Sequence, residues 1–368
     1  MVIQLSKPFI DKTEIDAVLK VLKSGNLSLG QKLPEFEKKF AEYIGTKYAA
    51  AVNSGTAGLH ACVKAIGTKE GDEIITSPYS FIASSNCALY EKAKPVFVDI
   101  NKKSFNIDAR KIEKAITDKT KAIIPIHIFG QPCGMDLIEK IAQKYNLRII
   151  EDACEAIGAE YHGKKIGARN HLSVFSFYPN KQITTAEGGV VVTNNEKEYN
   201  FIKKLSNQGR PLNTSEMIHE IIGYNYRLNE LSCVLGIEQL KKVDFILKKR
   251  EKVALEYTKR LKNFKEITTP YADENKKSWF VYVIKLKKGL NREKIIQFLK
   301  KNGIQSRAYF PSIHLQPIYK KLFNYKQGDF PICEEVSSST LALPFFTQMN
   351  SKEIDEVCRV LEEAIKQN

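Results

Sequence analysis

The chain has 368 residues, 43% of them hydrophobic and 27% charged. That is enough for two or three domains with a buried core, and it excludes a disordered chain, a collagen-like repeat or a small disulfide scaffold. Lys and Arg number 57 against 42 Asp and Glu, a net charge of +15, but the basic residues are spread along the whole chain. Short runs such as Lys241-Lys242 and Lys248-Lys249-Arg250 alternate with apolar residues, the pattern of a solvated surface rather than of a nucleic-acid stripe.

Helical periodicity is predicted over residues 13–24 and 33–44, flanking a turn-rich loop, Ser24-Gly-Asn-Leu-Ser-Leu-Gly30. Short β-branched runs predict strands at 72–76, 95–99, 122–127, 147–152, 174–177 and 189–193. Several are nearly all apolar, as in a parallel sheet covered on both faces. Between them lie amphipathic stretches; in 135–145, Leu137, Ile138, Ile141 and Tyr145 share one stripe. The alternation predicts an α/β domain with a mostly parallel sheet. From about residue 229 a long helical pattern runs through Leu240 and Ile246 towards Leu261. A strand at 280–286, a helix at 292–302, the loop Arg307-Ala-Tyr-Phe-Pro-Ser-Ile-His314 and a final helix at 352–366 follow. The expected division is a large domain over 1–245 and a smaller C-terminal α+β domain over 246–368.

No apolar run approaches the ~18–20 residues a membrane helix needs, and the first residues lack a basic-then-apolar leader. The expected address is the cytoplasm, without membrane partners. The seven cysteines are scattered and none has CxxC spacing, so neither a disulfide framework nor a metal site is expected.

Three segments carry the chemistry. In Asn53-Ser-Gly-Thr-Ala-Gly-Leu-His60 a glycine turn opens a helix, which suits a phosphate; a plain Ser N-cap is the competing reading. In Leu147-Arg-Ile-Ile-Glu-Asp-Ala-Cys-Glu155, Asp152 ends a buried strand, where a carboxylate can hold a proton on a heteroaromatic nitrogen or cap the next helix. In Phe175-Ser-Phe-Tyr-Pro-Asn-Lys-Gln-Ile-Thr-Thr-Ala-Glu-Gly-Gly189 a single lysine sits in a turn between strands. It is either a Schiff-base lysine or one more surface lysine. The order is a phosphate turn, an aspartate about a hundred residues on, and a lysine about thirty further. That fits a pyridoxal phosphate site.

Segment 173–193 resembles the S-F-x-x-x-K-x-x-T-x-x-E-G-G signature of the DegT/DnrJ/EryC1/StrS sugar aminotransferases. Ser54-Gly-Thr-Ala-Gly-Leu-His60, Ile126-His-Ile-Phe-Gly-Gln131, Glu151-Asp-Ala-Cys-Glu-Ala-Ile-Gly158, Gly223-Tyr-Asn-Tyr-Arg-Leu-Asn-Glu230 and segment 307–316 resemble it too. The resemblance implies the aspartate aminotransferase-like scaffold, fold type I of the pyridoxal phosphate enzymes. It implies that Lys181 carries the cofactor as a Schiff base and moves the proton of the 1,3-shift. Asp152 would hold the ring nitrogen protonated, and Gly55, Thr56 and Ser176 would bind the phosphate. Phe81 would stack on the ring, although a core phenylalanine reads equally well. Asn225 would reach the cofactor of a second copy, which implies a homodimer with shared sites. Arg227, Arg307 and His314 would serve the substrate; His314 also reads as a loop histidine.

Glu155 stands where most members have glutamine beside the cofactor's phenolic oxygen, and a carboxylate there would repel a phenolate unless one is protonated. Glu155 and Phe177-Tyr-Pro-Asn-Lys181 resemble the perosamine synthase branch. A related branch removes a sugar hydroxyl and carries histidine in place of this lysine, so Lys181 favours transamination. The implied reaction moves an amino group from L-glutamate to a nucleotide-linked keto sugar. A GDP-linked 4-keto-6-deoxyhexose leads, and UDP- or dTDP-linked 3- or 4-keto sugars compete. A DNA-binding regulator would need a helix-turn-helix with clustered Arg and Lys, which the sequence lacks.

Overall fold

In the computed structural model, residues 2–212 and 217–367 are described. A seven-stranded sheet is built from β1 (Tyr48–Val52), β2 (Glu73–Thr76), β3 (Lys94–Phe97), β4 (Thr120–Ile124) and β5 (Arg148–Asp152), with two later strands. A small hairpin, β6 (Glu160–Tyr161) and β7 (Lys164–Lys165), precedes those two, β8 (Leu172–Ser176) and β9 (Gly189–Thr193). The order is β1-β9-β8-β5-β4-β2-β3. β9 runs antiparallel to both its neighbours and every other pairing is parallel, so the mostly parallel sheet of the sequence reading is present.

Residues alternate across this sheet. Ile75, Ile123, Ile149 and Phe175 face one side, where α2 (Lys32–Ile44), α6 (Met135–Lys144) and α8 (Glu230–Lys241) cover them. Ile74, Ile124, Ile150 and Val174 face the other, under α3 (Gly55–Ala65), α4 (Ala83–Leu89) and α7 (Glu196–Ser206). Each wholly buried Ile or Phe contributes about 1.5–3 kcal/mol.

The chain opens with α1 (Lys12–Ser24), whose Asp11 and Glu14 form a capping box. A short α5 (Ala109–Ile112) follows β3. The predicted stripe on α6 is rotated: Met135, Ile138, Ile141 and Ala142 are buried, while Leu137 and Tyr145 are 38% and 37% exposed at its flank. The long pattern after 229 is two helices, because α8 ends at Lys241 and α9 (Val243–Leu261) starts beyond Lys242.

α9 spans two cores. Val243, Ile246 and Leu247 join the core beneath the large sheet. Val253, Ala254, Tyr257 and Leu261 join a second core. That second core lies against the antiparallel sheet β10 (Ile267–Thr268), β11 (Tyr282–Leu286) and β12 (Thr340–Leu343). The helices α10 (Arg292–Lys301) and α13 (Ser351–Lys366) close it, and α11 (Pro317–Phe323) and α12 (Pro331–Ser339) lie between them in sequence. Ile3 belongs to this second core and bridges to Ile304, although residues 1–245 were expected to form the large domain.

Six strands of the large sheet point the same way, so β1, β5 and β8 end on one edge. Gly189 pairs with both Val52 and Ser176, which aligns the ends of β1 and β8. This edge is where open α/β sheets bind ligands.

Candidate active site

β1 leads through Ser54 into α3. The Ser54 hydroxyl caps the helix by accepting the Ala57 N–H at 3.1 Å. The cap reading therefore holds, and it is compatible with a ligand, because first-turn N–H groups such as those of Gly55 and Thr56 have no acceptor within the helix. A Cβ on Gly55 would stand 2.9 Å from Ser176 Cβ and 3.0 Å from Cys154 Sγ. Glycine is thus what lets the start of α3 lie directly against the ends of β8 and β5. Gly55, Ser176 and the Asp152–Cys154 corner meet there.

Asp152 is 5% exposed at the end of β5. Its Oδ2 accepts the Ser84 hydroxyl at 2.6 Å and its Oδ1 accepts the Cys154 N–H at 3.1 Å. Among the described residues it has no cationic partner. A buried carboxylate held only by neutral donors suits a cationic N–H group brought by a ligand.

Lys181 lies in the turn between β8 and β9, its backbone N–H bonded to the Tyr178 carbonyl at 2.9 Å. Its side chain is largely buried. Nζ is 3.6 Å from Glu155 Oε1 and 4.1 Å from the centre of the Phe280 ring. Glu155 Oε2 accepts the Phe129 N–H at 2.8 Å. Burial pushes the Glu155 carboxyl above its ordinary range, and the Lys181 charge opposes that rise. Gly130, at φ +79°, leaves no room for a Cβ beside the Ser278 carbonyl, so this loop closes against segment 278–280.

Phe81 is 61% exposed and is no core residue. It precedes α4, the helix that carries Ser84 to Asp152. Asn225 is exposed; its carbonyl accepts from Asn53 Nδ2 at 3.2 Å, and the Tyr226 carbonyl accepts the Asn53 N–H at 2.8 Å. Arg227 Nη1 donates to Asn207 Oδ1 at 3.0 Å. The Asn225–Arg227 strip is thereby stitched to the residues just before α3. Arg307 is exposed on a loop whose backbone pairs with Ala342.

His314 is not brought to the site in this chain. It is wholly buried, its Nε2 lies 3.0 Å from Glu334 Oε1, and its ring packs on Phe330 with centroids 4.7 Å apart. The sequence reading also missed Ser84, Phe280 and Tyr309. Tyr309 is buried beside Glu155, and burial raises its phenol with the Glu155 charge adding to the rise. No local spacing announces these residues, since each reaches the edge from a distant segment.

A lysine amine, a buried carboxylate lacking a counter-ion, a glycine-opened helix start against a serine hydroxyl and an open aromatic face fit pyridoxal phosphate. Lys181, Asp152, Gly55, Thr56, Ser176 and Phe81 are the residues that would hold it.

Fold and site together define a pyridoxal phosphate-dependent transferase of the aspartate aminotransferase-like type. Residues 8–362 match the DegT/DnrJ/EryC1/StrS aminotransferase family, and the chain belongs to it. It is 38% identical to a GDP-perosamine synthase of Caulobacter vibrioides over 99% of this chain and 98% of that protein. It is 39% identical to a UDP-4-amino-4,6-dideoxy-N-acetyl-beta-L-altrosamine transaminase of Campylobacter jejuni over 94% and 92% of the two chains. The structure superposes on Helicobacter pylori PseC, an aminotransferase involved in pseudoaminic acid biosynthesis, with a TM-score of 0.96, 31% identity and full coverage of both chains. Solved relatives at 26% and 27% identity hold pyridoxal phosphate.

Proposed function

We propose that this aminotransferase moves an amino group from L-glutamate to a keto sugar carried on a nucleoside diphosphate, for surface polysaccharide or glycan synthesis. A GDP-linked 4-keto-6-deoxyhexose is the leading substrate. The observation that carries the reading is the meeting of Lys181, Asp152 and the Gly55–Ser176 contact at one sheet edge. Glu155 and the 38% identity to a GDP-perosamine synthase support the guanosine form. The 39% identity to a UDP-sugar transaminase favours a second reading, a UDP- or dTDP-linked sugar.

Pyridoxal phosphate, when bound, supplies the electron sink. The chain supplies orientation and proton handling. Asp152, oriented by Ser84 and the Cys154 N–H, holds a proton on the ring nitrogen. Gly55, Thr56 and Ser176 bind the phosphate, and Phe81 covers a ring face. Lys181 Nζ is the base and acid that shifts the substrate proton. Arg227 and Arg307 are the cations offered to the diphosphate. Asn225 acts on the site of a second copy in a homodimer. Leu27 and Leu29 are exposed on the loop whose Leu27 carbonyl accepts the Glu230 N–H, and a second copy would cover them. The place of action is the cytoplasm.

The test is incubation of the purified protein with L-glutamate and GDP-, UDP- and dTDP-linked 3- and 4-keto sugars. Cofactor absorbance and amino sugar product are followed together. The expected result is a glutamate-dependent spectral change reversed by one sugar class, with amino sugar formed. Absence of both for every sugar overturns the reading.

A further inference from the structure

Arg250 is 2% exposed inside α9, and no carboxylate pairs with it among the described residues. Burial pushes its guanidinium down to about 9. A buried, unpaired cation is costly, so its contacts carry the reason for keeping it. Arg250 Nε donates to the Trp279 carbonyl at 2.8 Å, Nη2 to the Phe280 carbonyl at 2.6 Å, and Nη1 to Thr347 Oγ1 at 3.4 Å. Segment 278–280 is gripped from the other side as well. The Ser278 N–H donates to the Gly130 carbonyl at 2.9 Å, and Gln182, next to Lys181, donates to Ser278 Oγ at 2.7 Å. The segment so fixed presents one side chain to the amine: the Phe280 ring, 2% exposed, with its centre 4.1 Å from Lys181 Nζ.

We propose that Phe280, fixed by Arg250, is the positioning residue of the catalytic amine: its ring face binds the Lys181 ammonium whenever that amine is free of cofactor. The idea rests on the reading of Lys181 as the cofactor lysine. Glu155, at 3.6 Å, is the other group that favours the ammonium. Asp152 and Cys154 lie behind Glu155 on the β5 side, and Tyr309, with Tyr178 and Arg307 about it, lies on the loop side. The two lysines that precede it on its own segment are held elsewhere: Lys277 Nζ is 3.0 Å from the Tyr271 carbonyl and 4.5 Å from the Trp279 ring centre, and Lys276 Nζ is 2.7 Å from Glu160 Oε1. Phe280 therefore adds a face that attracts the charge without being able to take its proton. The freed amine is held against the ring, in place for the next proton transfer.

The test measures Lys181 in the cofactor-free full chain. Competitive acetylation across a pH series, read by mass spectrometry on the peptide containing residue 181, gives the midpoint of its reactivity. Phe280→Leu is expected to lower that midpoint by about 0.5–1 pH unit, because the neutral amine no longer competes with a ring-bound cation. Site-specific 3,5-difluorophenylalanine at 280, which keeps the shape and weakens the ring face, is expected to give a smaller fall in the same direction. This second protein decides the matter if Phe280→Leu does not fold. An unchanged or raised midpoint in the fluorinated protein overturns the proposal. Borohydride fixation of pyridoxal phosphate to the wild-type residue 181 peptide tests the cofactor reading separately.

Discussion

Ser84 donates its hydroxyl to Asp152 Oδ2 at 2.6 Å, from the first turn of α4 to the last residue of β5. The bond ties the aromatic edge at Phe81 to the carboxylate at the sheet edge. Ser84→Ala would leave that buried oxygen short of a donor, and bonds to charged groups contribute about 1.5–3 kcal/mol. Cofactor affinity is expected to fall ~10–100-fold. Absorbance titration of cofactor-free protein with pyridoxal phosphate measures it, and equal affinities would refute a role for Ser84.

Lys181→Ala removes the proposed proton carrier while leaving the core intact. Amino transfer is expected to drop by at least ~10²–10⁴-fold, the contribution of a positioned acid–base group. Borohydride would then fix no cofactor to the peptide spanning residue 181. Retained turnover in this variant would end the assignment.

Gly55→Ala places a methyl 2.9 Å from Ser176 Cβ and 3.0 Å from Cys154 Sγ, so the start of α3 must move. Overpacking of this kind costs about 1–3 kcal/mol. The expected outcome is a lower melting temperature together with weaker retention of the phosphorylated cofactor on dialysis. A melting temperature equal to wild type would show that the contact gives way freely.

Glu155 bears on pH. Burial raises its carboxyl in the folded chain, so the folded state holds the proton more tightly than the unfolded one. Stability from this group is present below its unfolded pKa and declines as pH rises through the folded value. Glu155→Gln removes the decline. In cofactor-free protein the melting temperature of the variant minus that of wild type is expected to increase from about pH 4 to about pH 8. A difference that is flat or decreasing over that range contradicts the sign.

His314 separates the sequence reading from the structure. With Nε2 on Glu334 and no exposed surface, it is expected to act on stability rather than on substrate. His314→Ala is expected to lose about 1–3 kcal/mol in denaturant melts, with KM for the sugar unchanged at temperatures where the variant is folded. A raised KM with unchanged stability would restore it to the substrate side.

The large sheet was legible because its strands are short apolar runs at regular distances, and the 189–193 strand has the observed bounds. Gly55, Asp152 and Lys181 drew notice in the sequence because each lies in or beside a turn whose residue types are unusual, and the structure brings their segments to one sheet edge. β1 was passed over because Tyr48-Ala-Ala-Ala-Val52 reads as well as helix. Ser84, Phe280 and Tyr309 could not be read, since their meaning comes only from what lies opposite them. The α6 stripe was misassigned at Leu137 and Tyr145 because helical spacing gives the width of an apolar face, and packing on β5 and α5 chooses its centre.

α9 runs unbroken for 19 residues, its first turns sunk beneath the large sheet and its last against the small one. It acts as a beam set into both walls. Swinging one wall away from the other would require snapping backbone hydrogen bonds in the middle of that beam. Access to the edge that holds Lys181 is therefore expected to depend on the outlying loops rather than on a swing of one wall against the other.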